Sequence, residues 1–163
     1  ISLTVRRVRT AAWVIFKHHH YLDSKLAAGA YCFLASLADD RPVAFTGVLP
    51  FPHATRPGWR EHRTVCLPDF QGVGIGNAMS AFVASLFKAT GKPYYSVTGN
   101  PAMIYSRARS AEWKMIRAPS RTGLPGVTSS SNVNRRAAFN RLTAGFEYVG
   151  EARPIEARRF GLI

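Results

Sequence analysis

Acidic side chains are scarce in this sequence. Nine Asp and Glu stand against twenty-two Lys and Arg among 163 residues, for a net charge of +13 and a sequence pI of about 10.7. Cysteine is scarcer still. Cys32 and Cys66 are too few to staple a small secreted fold, which leaves a reduced, cytoplasmic protein as the expectation. No apolar run approaches the roughly 18 residues of a membrane span. The first residues carry no signal-peptide pattern, so no membrane is expected as a partner. Disorder is excluded by a hydrophobic fraction of 47%, enough for a real core. The length fits one domain over residues 1–163,.

What the chain has in excess is positive charge, and it is unevenly spread. Between Arg107 and Arg141 lie Arg107, Arg109, Lys114, Arg117, Arg121, Arg135, Arg136 and Arg141, with Glu112 the single acid. Such a window reads as a binding face for a polyanion, either nucleic acid or a phosphate-rich cofactor. The alternative is a merely soluble basic protein.

Turn signals and hydrophobic periods divide the chain. Residues 3–8 read as an opening strand and residues 10–16 as a short helix, which delivers Lys17-His18-His19-His20-Tyr21-Leu22 to a loop. Ser24 is placed to cap a second helix over residues 25–28,. Residues 30–38 and 43–49 form a hairpin about Asp39-Asp40-Arg41-Pro42, residues 51–61 a surface loop, and residues 62–67 the next strand,. After it, Ala78, Met79, Phe82, Val83, Leu86 and Phe87 make a helical stripe ended by Gly91,. Residues 93–98 are β-rich, Pro101 opens a helix over residues 102–109, residues 118–134 form a mobile excursion, and residues 139–149 return as a strand,. The order β-α-α-β-β-β-α-β-α-β predicts an α/β domain with a mixed sheet.

Chemistry concentrates where a strand gives way to Gln71-Gly72-Val73-Gly74-Ile75-Gly76 and then to an amphipathic helix. Glycines let main-chain N–H groups approach an anion, and the helix start adds about half a positive charge. A Walker A loop is excluded, because Gly76 is followed by Asn77-Ala78 and not by Lys-Ser/Thr,. A dinucleotide fingerprint is excluded by the glycine spacing and by the loop's position late in the strand order. A glycine-rich turn without a ligand is the bland alternative.

These residues resemble the GNAT acyltransferase superfamily, whose signature is Gln/Arg-x-x-Gly-x-Gly/Ala after a central strand; Gln71, Gly74 and Gly76 fit it position by position. The resemblance implies a mostly antiparallel central sheet flanked by helices, with splayed central strands. It implies acetyl-CoA or another acyl-CoA as cofactor, its pyrophosphate held by the amides of Gln71, Gly72, Val73, Gly74, Ile75 and Gly76. Its pantetheine arm would lie along the strand carrying Val65, Cys66 and Leu67, where that strand leaves the one at residues 94–98. Asn100, Ala102 and Tyr105 resemble a second family mark, in which the tyrosine protonates the departing thiolate. Tyr105 comes one residue early, about 100° of helix rotation, and the following Gly-Phe is missing, with Trp113 a substitute. Tyr105 is therefore either the acid or a packed helix tyrosine.

An amine attacking a thioester needs a proton acceptor. The candidates are His19 and His20, together with Asp23, beside the loop acids Glu61 and Asp69; His53 and His62 are weaker,. The histidine spacing matches no strong metal motif. The pattern also resembles a bacterial and phage subgroup that includes Mom-like enzymes modifying adenine in DNA. On that branch Arg107, Arg109, Lys114, Arg117, Arg121, Arg135 and Arg136 would bind nucleic acid,. Three functions stay open: an acetyl-CoA-dependent transferase acting on an amine, a DNA-modifying enzyme on the same scaffold, and a non-catalytic nucleic-acid-binding domain.

Overall fold

Aromatic and β-branched residues crowd the segment from Tyr31 to Phe51, and this segment builds the middle of the sheet,. The computed structural model describes residues 2–20, 25–121 and 142–163. Asp23, Ser24, Arg135, Arg136 and Arg141 lie outside the described residues, as does the stretch 122–134 of the expected excursion. The strands are β1 (Thr4–Val8), β2 (Tyr31–Ser36), β3 (Pro42–Phe51), β4 (Gly58–Cys66), β5 (Tyr94–Thr98), β6 (Trp113–Arg121) and β7 (Leu142–Tyr148). The helices are α1 (Ile75–Lys88), α2 (Pro101–Ala108) and α3 (Pro154–Arg159). One sheet runs β1-β2-β3-β4-β5-β7-β6. Every neighbouring pair is antiparallel except β4 and β5.

Helix α1 turns Ile75, Met79, Val83, Leu86 and Phe87 inward against Phe33, Val43, Val48 and Tyr94. On the other face, Trp13 and Phe16 cover Cys32, Phe45 and Val65. Each such side chain contributes about 1.5–3 kcal/mol when fully buried. Strand β3 is buried from Val43 to Val48 because both faces of the sheet are covered there.

Several elements differ from the sequence reading. Residues 10–15 wind as a 3-10 helix, and residues 25–28 form no helix. The expected loop over 51–61 holds the start of β4, because Gly58 approaches Pro93 so closely that a Cβ would lie 2.4 Å from its carbonyl oxygen. Trp59 N donates to the same oxygen at 2.8 Å. Residues 118–121, expected in the excursion, finish the edge strand β6, where Pro119 is tolerated,. Helix α3 was not expected at all.

Burial pushes the Cys32 thiol from about 9.0 up to about 11. Between those values the unfolded chain releases this proton and the folded chain keeps it, so stability must fall as pH rises. Urea unfolding at pH 8 and pH 10 is expected to give a lower midpoint at pH 10, with Cys32→Ala flattening the difference.

Candidate functional site

The two central strands are pinched at one end and open at the other. Strands β4 and β5 pair only at Trp59↔Tyr94 and Arg60↔Tyr95. From Glu61 to Cys66, β4 keeps its partner β3 and, among the described residues, has no strand on the β5 side. The cause is partly a bulge. Gly47 pairs with Arg63 and Val48 with Glu61, so His62 is the extra residue that bends β4 away,. The opening is a cavity of about 670 Å³ lined by β4, by residues 70–72 and 74–77, by the end of β5 and by the start of α2.

At its rim the chain turns through Gly72 (φ 81) and Gly74 (φ 86), left-handed conformations that side chains rarely adopt,. Gly74 is the N-cap of α1, and among the described residues no side chain caps that helix. The first N–H groups of α1, which helix geometry leaves without intrahelical partners, are not taken up by a capping side chain among the described residues,. A Cβ added at Gly72, Gly74 or Gly76 would meet nothing within 4 Å, and all three glycines line the cavity. Gln71 fixes its shape by donating from Nε2 to the Cys66 carbonyl at 2.8 Å. The Cys66 thiol donates to the Phe70 carbonyl at 3.3 Å, and burial pushes its pKa up.

Among the residues expected to hold the cofactor, Val65, Cys66, Gln71, Gly72, Gly74, Ile75, Gly76 and Asn100 line this cavity. Leu67 does not; it packs with the Trp13 cluster. Val73 also turns away, 65% exposed. Asn100 caps α2, its Oδ1 accepting from Ala102 N at 2.9 Å and Met103 N at 3.2 Å.

His19 and His20 also line the cavity. The His20 ring meets Trp13 edge-on at 5.8 Å. His18 is exposed and outside the lining. His62, a weaker candidate from sequence, also lines the cavity. Its Nε2 accepts the Ala27 amide at 3.2 Å, so that nitrogen is engaged. Arg63 donates to the carbonyls of His62 and Lys25 at 3.0 and 3.4 Å, tying residue 25 to the bulge. His53 sits in an exposed loop, accepting from Arg56 N, and Asp69 is exposed outside the cavity. Among the described residues no cluster of three His, Cys, Asp or Glu is arranged to hold a metal.

Two sets of expected residues sit away from the cavity or from one another. Tyr105 does not face the cavity: it is 65% exposed, its ring lies under the Arg109 guanidinium at 5.0 Å, and its hydroxyl accepts from Arg109 Nη1. The α2 residues that line the cavity are Ala102 and Met103, as the one-residue offset implies. Tyr105→Phe is accordingly expected to change turnover less than twofold at constant pH, a small effect in transition-state terms; a hundredfold loss would restore Tyr105 as the acid.

The basic window is not one face either. Arg107 is interior, 1% exposed. Arg117 donates to the Ser120 and Thr143 hydroxyls at 2.8 Å each. Arg109 and Lys114 are exposed, and Arg121 ends β6.

Sequence reasoning also missed the polar cluster at the vertex of the opening. Glu61 is not in a loop but on β4, where it accepts from Ser80 Oγ, from Ser96 Oγ at 3.0 Å and from Arg107 Nη2 at 3.2 Å. Arg107 Nη2 also donates to Ser80 Oγ at 2.7 Å, and its Cζ stands 4.3 Å from the Trp113 ring centroid. The members are far apart in sequence, so no local signal joins them.

No protein-family model and no curated protein matches this sequence. Solved structures do match it in shape. The spermidine/spermine N-acetyltransferase SpeG of Vibrio cholerae is 9% identical, covering 89% of this chain and 91% of its own, at a TM-score of 0.61. Naa20 of Chaetomium thermophilum, in complex with a bisubstrate analogue, is 10% identical over 94% of this chain and 89% of its own, at 0.59. The ribosomal-protein-S18-alanine N-acetyltransferase of Escherichia coli is 13% identical over 90% and 93%, at 0.56. With the splayed β4 and β5 and the uncapped glycine turn between β4 and α1, this chain has the GNAT acetyltransferase fold.

Proposed function

We propose that this protein is an acyl-CoA-dependent acyltransferase that moves an acetyl or similar acyl group to an amine. The observation that carries the reading is the glycine turn at the mouth of the β4/β5 opening, with its two left-handed glycines and an uncapped helix start. That turn fits a diphosphate. It offers N–H donors without competing side chains, and the space a Cβ would occupy is open,.

Gly72, Gly74, Ile75 and Gly76 would hold the diphosphate of acyl-CoA. The free edge of β4 through Val65 and Cys66 would receive the pantetheine amides, as an edge strand receives another chain,. When bound, acyl-CoA supplies an acyl group activated as a thioester. The protein's own part is to align the amine and to take its proton. Glu61 is unsuited to the second task, because its carboxylate already accepts from Ser80, Ser96 and Arg107. His62 Nε2 is occupied by the Ala27 amide. Among the described residues, His19 and His20 remain to accept the proton, either directly or through water, with Asp23 outside the described residues,.

The net charge of +13 favours a second reading for the acceptor, a base in DNA modified on the same scaffold,. Calorimetric titration with acetyl-CoA, followed by thiol-release assays on a panel of amines, tests the first reading; binding with micromolar affinity and turnover on an amine supports it. Absence of acetyl-CoA binding would remove it. Adducts on adenine in nucleosides from cells expressing the protein, lost in a His19→Ala variant, would turn the assignment to DNA.

A further inference from the structure

We infer that Arg107, clasped by Glu61, is a positioning residue that holds the cleft between β4 and β5 open. The identity of what fills the cleft rests on the acyl-CoA reading; the wedge itself does not.

Beyond Arg60↔Tyr95 the two strands carry facing edges without a strand between them. Unpaired parallel edges gain hydrogen bonds by closing on one another, which is the ordinary hazard of an exposed strand. The next rung would join Glu61 to Ser96. There the main-chain ladder is replaced by side chains: Ser96 Oγ donates to Glu61 Oε1 at 3.0 Å, and the Arg107 guanidinium reaches Ser96 Oγ at 2.5 Å. The same guanidinium reaches Ser80 on α1 and comes from α2 itself, so four elements meet at the vertex. Trp113 backs the guanidinium from β6.

Stability alone does not account for this cluster. Arg107 Nε and the Tyr94 hydroxyl are buried with no hydrogen-bond partner among the described residues. Orphaned polar atoms are costly, and well-packed apolar residues often replace a buried ion pair without loss of stability. A planar fork with donors on two sides does what an apolar plug cannot: it bonds Glu61 on β4, Ser96 on β5 and Ser80 on α1 at once, where the main-chain ladder has stopped,.

The test replaces the pair by apolar residues, Glu61→Leu with Arg107→Met, in the full chain. The double variant is expected to remain folded, with amides of residues 63–66 and 97–98 that exchange quickly in the free wild type becoming slow. Acetyl-CoA affinity is expected to drop about tenfold, as the open form falls to about a tenth of the population. A folded double variant with fast amides and unchanged affinity would overturn the wedge. Should that variant not fold, Ser80→Ala with Ser96→Ala decides: slowed exchange and weaker binding support the wedge, and unchanged values overturn it. Failure of the wild type to bind acetyl-CoA would contradict the proposed function, while the exchange comparison would still judge Arg107.

Discussion

Gly74→Glu is expected to leave a folded protein that no longer retains acetyl-CoA. Gly74 sits at φ 86 and ψ −2, and the space beside it is open. A residue with a Cβ costs about 1–2 kcal/mol in this conformation, a loss that a domain of this size survives. The new side chain starts from a glycine that lines the cavity assigned to the diphosphate. A carboxylate about 5 Å from one phosphate charge adds roughly 3 kcal/mol of repulsion at an effective dielectric constant of about 20, beyond the steric block. Affinity should fall by roughly a hundredfold or more. Gly74→Ala separates the two effects, since it carries the backbone strain without the charge and should bind far better than the glutamate variant. Calorimetry alongside thermal unfolding reads both; wild-type affinity in Gly74→Glu would mean that the turn is not the anion site.

The second large effect is on folding. Arg107→Ala strands the Glu61 carboxylate, with a side-chain exposure of 8%, in a pocket that has lost its counter-charge. It also removes the group stacked on Trp113. Breaking a buried pair from one side typically costs about 3–5 kcal/mol. Urea unfolding should show a loss of that order with little change in the slope. A loss below about 1 kcal/mol, the range of exposed pairs, would place this pair among surface contacts.

The glycine turn was legible in the sequence because its requirements are local. Positive φ at Gly72 and Gly74, a strand before them and an apolar stripe after them all fall within one continuous stretch of the chain, from β4 through α1. The opening beside it was legible only through the family resemblance, since the bulge at His62 and the short β4–β5 pairing are matters of long-range register. Gly58 read as a loop residue because its reason for being glycine, the close approach of Pro93, lies far along the chain. Strand β6 was hidden by its own composition: Lys114, Arg117 and Pro119 suit an edge that faces solvent and break the alternation by which strands are recognised,. Charge counting misled at Arg107, because a formula for net charge treats a buried, paired arginine as surface. Tyr105 matched the family in residue type, and helix geometry turned it outward.

The most direct measurement is an amide-resolved NMR titration with acetyl-CoA. The largest shifts are expected at residues 72–78, where the helix start meets the glycine turn, with a second group along residues 63–66 of β4. Saturable binding that leaves both segments unmoved, or no binding at all, would contradict the assignment of this cleft to the coenzyme.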